Sequence, residues 1–293
     1  MWTRLLSPAR DEDAVPDFVL SLTAIILLLR PLDVWWVTAF VLAAACLSLA
    51  LRPVRRAPVT WILVAALVAA RIAIVWPLSD NHIYLLAYWC LAIGLALAGP
   101  APATILSESS RWLLGAAFAM AVLWKAVLSP DYLDGRFFRV TLLTDERFAD
   151  TSLVFGGLSR DQMAENRSFL EPLPEGAELL NPPAFVEPPR LRAFAAIETW
   201  GGMLLEALIA ILFFLPVEGS VRTARHAALL VFCMTTYALV PVAGFGWLLA
   251  TMGLAHCREN QRVLRGAYLA VFILILLYSE IPWTAVLADW MVR

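Results

Sequence analysis

The chain is a succession of apolar runs separated by short polar breaks. An α-helix needs about 20 apolar residues to cross a bilayer. By that measure the pattern predicts spans near 16–31, 34–51, 58–78, 82–99, 110–128, 193–215 and 266–288. The run 226–256 is long for one crossing and short for two, and Pro241, Gly244 and Gly246 interrupt it. It reads as two short or re-entrant passes, because broken backbone at membrane depth is tolerated where it lines a cavity. The predicted fold is all-α: a single membrane domain over 1–293, a polytopic transmembrane bundle of about eight or nine segments including this broken pair. Residues 129–192 interrupt the pattern with eleven acidic residues, and six prolines fall between 172 and 189. Within them Ser159 and Gln162 have the spacing of a capping box for a short helix. Phe137, Phe138, Phe148, Phe155, Phe169 and Phe185 favour some ordering of the segment. It is expected to be an extracytoplasmic loop, either irregular or folded as a lid or docking surface.

Composition points the same way. The chain is 61% hydrophobic, with a mean hydropathy of +0.76, against about 45–50% apolar in soluble chains. A soluble globular domain is excluded, and membrane lipids are the expected surroundings. A net charge of −2 with dispersed arginines gives no reason to expect nucleic acid as a partner. The arginines sort by loop: Arg52, Arg55 and Arg56, then Arg111, then Arg222 and Arg225, then Arg258, Arg262 and Arg265, alternating with poor turns at 31–33 and 79–81. The positive-inside rule then places the N-terminus in the cytoplasm. The first apolar run follows an acidic Asp-Glu-Asp and lacks a cleavage site, so the first span is expected to be its own insertion signal. Arginine and alanine richness suggests a bacterial cytoplasmic membrane. Cys46, Cys90, Cys233 and Cys257 show no metal or redox spacing and read as inert thiols rather than disulfides; no metal is expected.

Ionisable groups inside spans are costly and usually face the bundle interior. Here they are Arg71, Lys125, Glu198, Glu206 and Glu280, with His82 at a span start. Arg71 and Glu206 both fall near mid-span, and an ion pair between them is the expected structural use. Glu280 precedes Ile281–Pro282, where a kinked helix is expected. Lys125 is the one lysine beside 21 arginines. Its stem allows snorkelling to the outer interface; a desolvated lysine can also serve as a general base, which arginine cannot. Ser79, Asp80 and Asn81 are candidate caps for the helix that His82 opens.

Three stretches together resemble the membrane core of the vitamin K-dependent gamma-carboxylase-like (HTTM) family. Asn81, His82, Tyr84 and Leu85 resemble its Asn-His-x-Tyr-Leu. Asp131, Tyr132, Asp134 and Gly135 resemble its Asp-Trp-x-Glu-Gly. Trp200, Gly201, Gly202, Leu204, Leu205 and Glu206 resemble its Trp-Gly-Gly-x-Leu-Leu-Asp. The resemblance covers roughly 20–255. It implies a reduced isoprenoid quinone, vitamin K-like, as cofactor, Lys125 as the base that deprotonates it, and His82 as a stabiliser of intermediates. It also implies a cavity lined by Asn81, Tyr84, Trp200, Glu206, Arg71, Tyr132 and Asp134, and quinol oxidation coupled to carboxylation of glutamate. Lys125 stands two residues further from its Asp-Tyr-x-Asp-Gly stretch than the family's lysine, about 200° on a continuous helix. A family histidine falls near Cys233, and the family's large lumenal domain has no counterpart in these residues. Only 129–192 is then expected to present a substrate. Two uses follow: a quinol-oxidising, carboxylase- or oxygenase-like enzyme, or a non-catalytic lipid-binding scaffold subunit whose 129–192 segment docks a membrane partner. A transporter is disfavoured because no repeat is visible.

Overall fold

The computed structural model describes residues 15–172, 175–176, 178, 184–216, 219–239, 242–258 and 260–292. Among these there are helices and turns but no strands. The first helices are α1 (Asp17–Leu29), α2 (Trp35–Ala50), the short α3 (Arg52–Arg56), α4 (Pro58–Val75) and α5 (Asn81–Ala98). Then α6 (Pro102–Leu123) runs into a π turn, Trp124–Leu128. Short helices α7 (Pro130–Leu133), α8 (Arg136–Thr144) and α9 (Arg160–Ser168) precede α10 (Pro189–Phe214). The chain closes with α11 (Ser220–Leu239), α12 (Ala243–Ala255), α13 (Arg262–Glu280) and α14 (Trp283–Val292). Proline opens α4, α6, α7 and α10 in the first turn, where its missing N–H costs nothing.

Four of these are long and apolar enough to cross a membrane: α4, α5, α6 with its π turn, and α10. A fifth counts if 262–278 and 283–290, bent by 60°, form one broken span. The sequence pattern predicts more spans because it registers apolarity rather than helix length. At 13 residues, α1 rises only about 20 Å against a hydrocarbon core of about 30 Å. The helices turn much of their apolar surface outward. Phe40, Leu63, Leu95, Val127, Leu204 and Ile273 are all exposed, while Arg71, Glu206, Arg225, His226 and His256 are buried. Contiguous exposed apolar surface on this scale is foreign to soluble monomers. The helices are compatible with a multi-pass membrane protein.

The run 226–256 lies on two helices, with Pro241 itself outside the described residues. α12 folds back along α11, since Tyr237 packs where a Cβ on Gly246 would sit and the rings of His226 and His256 lie 5.4 Å apart. α12 is apolar on all sides: Trp247, Leu248, Leu249, Ala250, Met252 and Leu254 are all buried. Such a helix belongs in the centre, and α12 touches α1, α5, α6, α11 and α13.

The return of α12 gathers the arginine-rich loops at one end. Asp17 accepts from Arg52 and Arg56 at 3.1 and 2.9 Å, and Arg265 lies 4.6 Å over the ring of Phe18. Arg111 donates to the Phe213 carbonyl at 3.0 Å. We call this the basic end.

At the opposite end, 129–192 folds into a compact cap rather than an irregular loop, as far as its described residues show. Leu142, Leu143, Phe148, Leu158 and Met163 form a second core with Leu191 and Ala195 of α10. The capping box is present, Ser159 and Gln162 each bonding the other's backbone N–H. Asn166 holds both the N–H and the C=O of Val186, at 2.8 and 3.0 Å. Arg139 forks onto Glu187 at 2.6 and 2.7 Å.

Candidate functional site

The lone lysine sits where α6 loses its regular pitch. The π turn Trp124–Leu128 carries Lys125 between outward-facing Trp124, Val127 and Leu128. Single π turns inside α-helices recur at functional sites because they re-aim side chains. The Lys125 ammonium reaches α10 and donates to both carboxylate oxygens of Glu206, each at 2.6 Å. The side chains are 22% and 10% exposed, so the pair is nearly withdrawn from water and still reachable. The same ammonium lies 4.9 Å above the ring of buried Tyr132 in α7, a cation–π contact strengthened by poor solvation.

Sequence explains why Tyr132 is there. Pro130 starts α7, and Gly135 ends the stretch at φ 77°, a left-handed conformation that costs a side-chain-bearing residue energy. The turn returns Tyr132 against Phe137 and Phe138, with ring centroids 5.6 Å away in both cases. Burial pushes the Tyr132 phenol well above its ordinary range, and the charges of Glu206 and Glu198 add to this. Tyr132 is thus a platform for the ammonium rather than a base. Asp134 is directed elsewhere: its exposed carboxylate accepts from the N–H and Nε of Arg136, and that backbone bond holds its carboxyl below the usual range.

The expected Arg71–Glu206 pair does not form. Lys125 occupies Glu206, and Arg71 lies one turn before the end of α4, within reach of the end turns. It donates to Asp33 at 2.9 Å, to Ser79 at 2.8 Å and to the Leu32 carbonyl at 3.4 Å. Asp33 accepts from a left-handed backbone position, φ 61°. Arg71 thus ties the α1–α2 turn to the α4–α5 turn. His82 belongs to this second group, since the charged residues acting on it are Asp80, Arg30 and Arg71. Asp80 is the N-cap of α5 but makes no side-chain cap bond, and Ser79 is engaged by Arg71. Asn81 is exposed and Tyr84 half-buried. Trp200 is 45% exposed, in an outward stripe with Ile197, Leu204 and Leu208. Glu198 shares the inner side of α10 with Gly202 and Glu206, whereas Glu280 is exposed at the α13–α14 bend. All four cysteines are free, Cys90 and Cys233 buried and Cys46 exposed.

No family model, curated protein or solved structure matches this chain. Among the described residues, no group of three or more His, Cys, Asp or Glu side chains could hold a metal.

A further cluster, at the basic end, escapes sequence reading. Arg225, almost wholly buried, donates to the carbonyls of Leu212 and Leu215 at the end of α10 and to His256 Nε2 at 3.0 Å. Because the guanidinium can only donate, Nε2 must accept. The His256 proton is then on Nδ1, facing the Ser107 hydroxyl and carbonyl at 3.1 and 3.2 Å. His226 Nδ1 meets the Tyr268 hydroxyl at 2.8 Å, while its buried Nε2 has no hydrogen-bond partner. The two histidines are thirty positions apart, and only the return of α12 makes them neighbours. Two cavities lie towards this end. One of about 420 Å³ is lined by His256, Arg222, Arg258 and Arg265; the other, about 600 Å³ and apolar, opens between α5 and α6. Neither is lined by Lys125, Glu206 or His82.

Proposed function

We propose that this is a nine-segment membrane protein of the bacterial cytoplasmic membrane, basic end in the cytoplasm and cap outside, related to the vitamin K-dependent gamma-carboxylase-like family. In this reading its Lys125–Glu206 pair takes a proton from the acidic hydroxyl of an isoprenoid hydroquinone. The observation that carries the reading is the two-pronged contact of Lys125 with Glu206 on a π turn, beside buried Tyr132. The π turn also takes up one residue of the two-residue offset from the family pattern. The donor set suits the ligand: a cation and a carboxylate at the end of a lipid-facing helix meet a hydroxyl that arrives from the hydrocarbon side.

A hydroquinone would supply reducing equivalents and dioxygen would accept them; the chain's residues handle the proton. The pair works as one unit. Lys125 passes its own proton to Glu206, and the neutral Nζ then takes the proton of the hydroxyl; the end state is a Lys125 ammonium beside a neutral Glu206 carboxyl, with the ammonium as counter-charge to the deprotonated hydroxyl. Arginine at 125 keeps the charge but cannot share the proton. Lys125→Arg is expected to abolish oxidation of a reduced isoprenoid naphthoquinone in proteoliposomes while the thermal midpoint is retained, and Glu206→Gln to abolish it with a lowered midpoint, because Lys125 is left without its partner. Normal turnover in Lys125→Arg would overturn the proposal.

The separation of His82 from Lys125 favours a second reading, a non-catalytic scaffold in which Lys125–Glu206 is structural and the cap docks a membrane partner. Gentle extraction then yields an assembly larger than the monomer that is lost when the cap is replaced by a short linker. A quinol-active monomer would exclude it.

A further inference from the structure

We propose that the arginine-lined cavity and the apolar groove beside it form one binding site for an anionic phospholipid, its phosphate in the cavity and an acyl chain in the groove. The two volumes are neighbours: Thr104 and Glu108, on the first turns of α6, line both. On the cavity side stand Arg222, Arg258 and Arg265, with His256 and Ser107. Three guanidiniums border one space of about 420 Å³; Arg222 already donates to the His256 carbonyl at 3.0 Å, and with five N–H donors each the arginines can bond phosphate oxygens beside the partners they hold. The start of α6 adds to the attraction. Pro102 occupies its first position, no side chain caps it, and its free N–H groups and dipole favour an anion. Among the described residues, Glu108 is the acidic group that lines this space. Arg111 holds its carboxylate at 3.0 and 2.9 Å, so its charge is already met.

The groove makes the ligand a lipid rather than a free anion. Its walls are Leu91 and Leu95 of α5 and Ile105 and Trp112 of α6. From Thr104 to Trp112 it descends about 12 Å, most of the roughly 15 Å depth of one leaflet. Arg111 lies 4.6 Å over the Trp112 ring, which fixes that wall. A headgroup site at the arginine-rich end with a hydrocarbon channel leading inward matches a phospholipid of the negatively charged cytoplasmic leaflet.

The proposal rests on the membrane reading alone and is independent of the chemistry at Lys125. The test uses full-length protein extracted in detergent and exchanged into neutral micelles, with retained lipid counted by native mass spectrometry. Phosphatidylglycerol is expected to bind at least about fivefold more tightly than phosphatidylcholine, and Arg258→Glu to weaken it by about fivefold or more. Ala92→Trp, which fills the groove, should weaken both lipids. Arg262→Glu, at the first residue of α13 and outside the cavity lining, should leave binding unchanged. Equal binding of the two lipids, no effect of Ala92→Trp, or equal losses in Arg258→Glu and Arg262→Glu would each overturn the site. Complete displacement of the lipid by millimolar inorganic phosphate would instead make this a free-anion pocket and overturn the lipid assignment. A chain that stays in solution without detergent would fail the membrane reading; indifference to headgroup charge in the extracted protein fails only this proposal.

Discussion

Lys125 and Glu206 cannot be changed singly without exposing the other. Removing one member of a buried pair typically costs about 3–5 kcal/mol, because the remaining charge is left without a partner in a poor solvent. The partial exposure of Lys125 puts Lys125→Met near the lower end of that range. The double variant Lys125→Met/Glu206→Leu is expected to recover most of the loss, since matched apolar side chains often replace a buried pair at little cost. Thermal unfolding of the four proteins in one detergent gives the coupling directly. If the double variant is as unstable as the sum of the singles, the two groups do not act as a pair. The sequence marks both residues as out of place in apolar runs but does not match them. Arg71 could have been the partner on composition alone. What decided otherwise was reach, since a guanidinium one turn from a helix end finds a carboxylate, a hydroxyl and a carbonyl in the adjoining turns.

Among elements, α12 depends most on small residues. A Cβ on Gly253 would come within 2.4 Å of the Tyr268 ring, and one on Gly246 within 2.6 Å of Tyr237. Neither ring has room to withdraw, as both tyrosines are buried. Gly253→Ala is therefore expected to destabilise the protein by about 1–3 kcal/mol through overpacking, despite the better helix propensity of alanine. The check is a lowered thermal midpoint together with faster amide exchange in 243–255 and 262–276. An unchanged midpoint would mean that α12 and α13 can separate at little cost. The break in 226–256 was legible from Pro241 and two glycines, as was the capping box from Ser159 and Gln162. The meeting of His226 with His256 was not, because helical periodicity carries no information about which end of a later helix returns to an earlier one.

At the scale of the molecule, two cores respond differently to acid. The larger is a membrane-type bundle, and the smaller belongs to the cap. The Arg139 bond holds the Glu187 carboxyl below its usual range, with Arg192 assisting, and Arg147 does the same for Asp145. A carboxylate whose folded pKa is depressed lends stability above its unfolded value, about 4, and that stability is lost as pH falls through the folded value. The cap is thus expected to open as pH falls below about 4 while the bundle keeps its helicity. Pepsin cleavage within 136–170, rising over that range at constant far-ultraviolet circular dichroism, is the measurement. Glu187→Gln should shift cleavage to higher pH; a cap as resistant at low pH as at neutral would refute the assignment. The grouping of arginine-rich loops at one end was foreseeable from their alternation along the chain. The folded character of the cap was foreseeable only in part, because its core draws on Ala195, a residue that the apolar pattern assigns to the next span, and α10 already begins before Leu191, inside the segment read as a loop.

The order of the charged partners along the chain bears on how the protein is made. Asp33 emerges from the ribosome before Arg71, so that cation never lacks an acceptor. Lys125 precedes Glu206 by 81 positions, so it must wait. It waits in the last turn of its helix, where an aliphatic stem can hold an ammonium out in the headgroup layer. Glu206, well inside α10, has no comparable refuge. By the time it is inserted its cation is already in place, whereas the reverse order would strand a short-armed carboxylate in hydrocarbon during biogenesis.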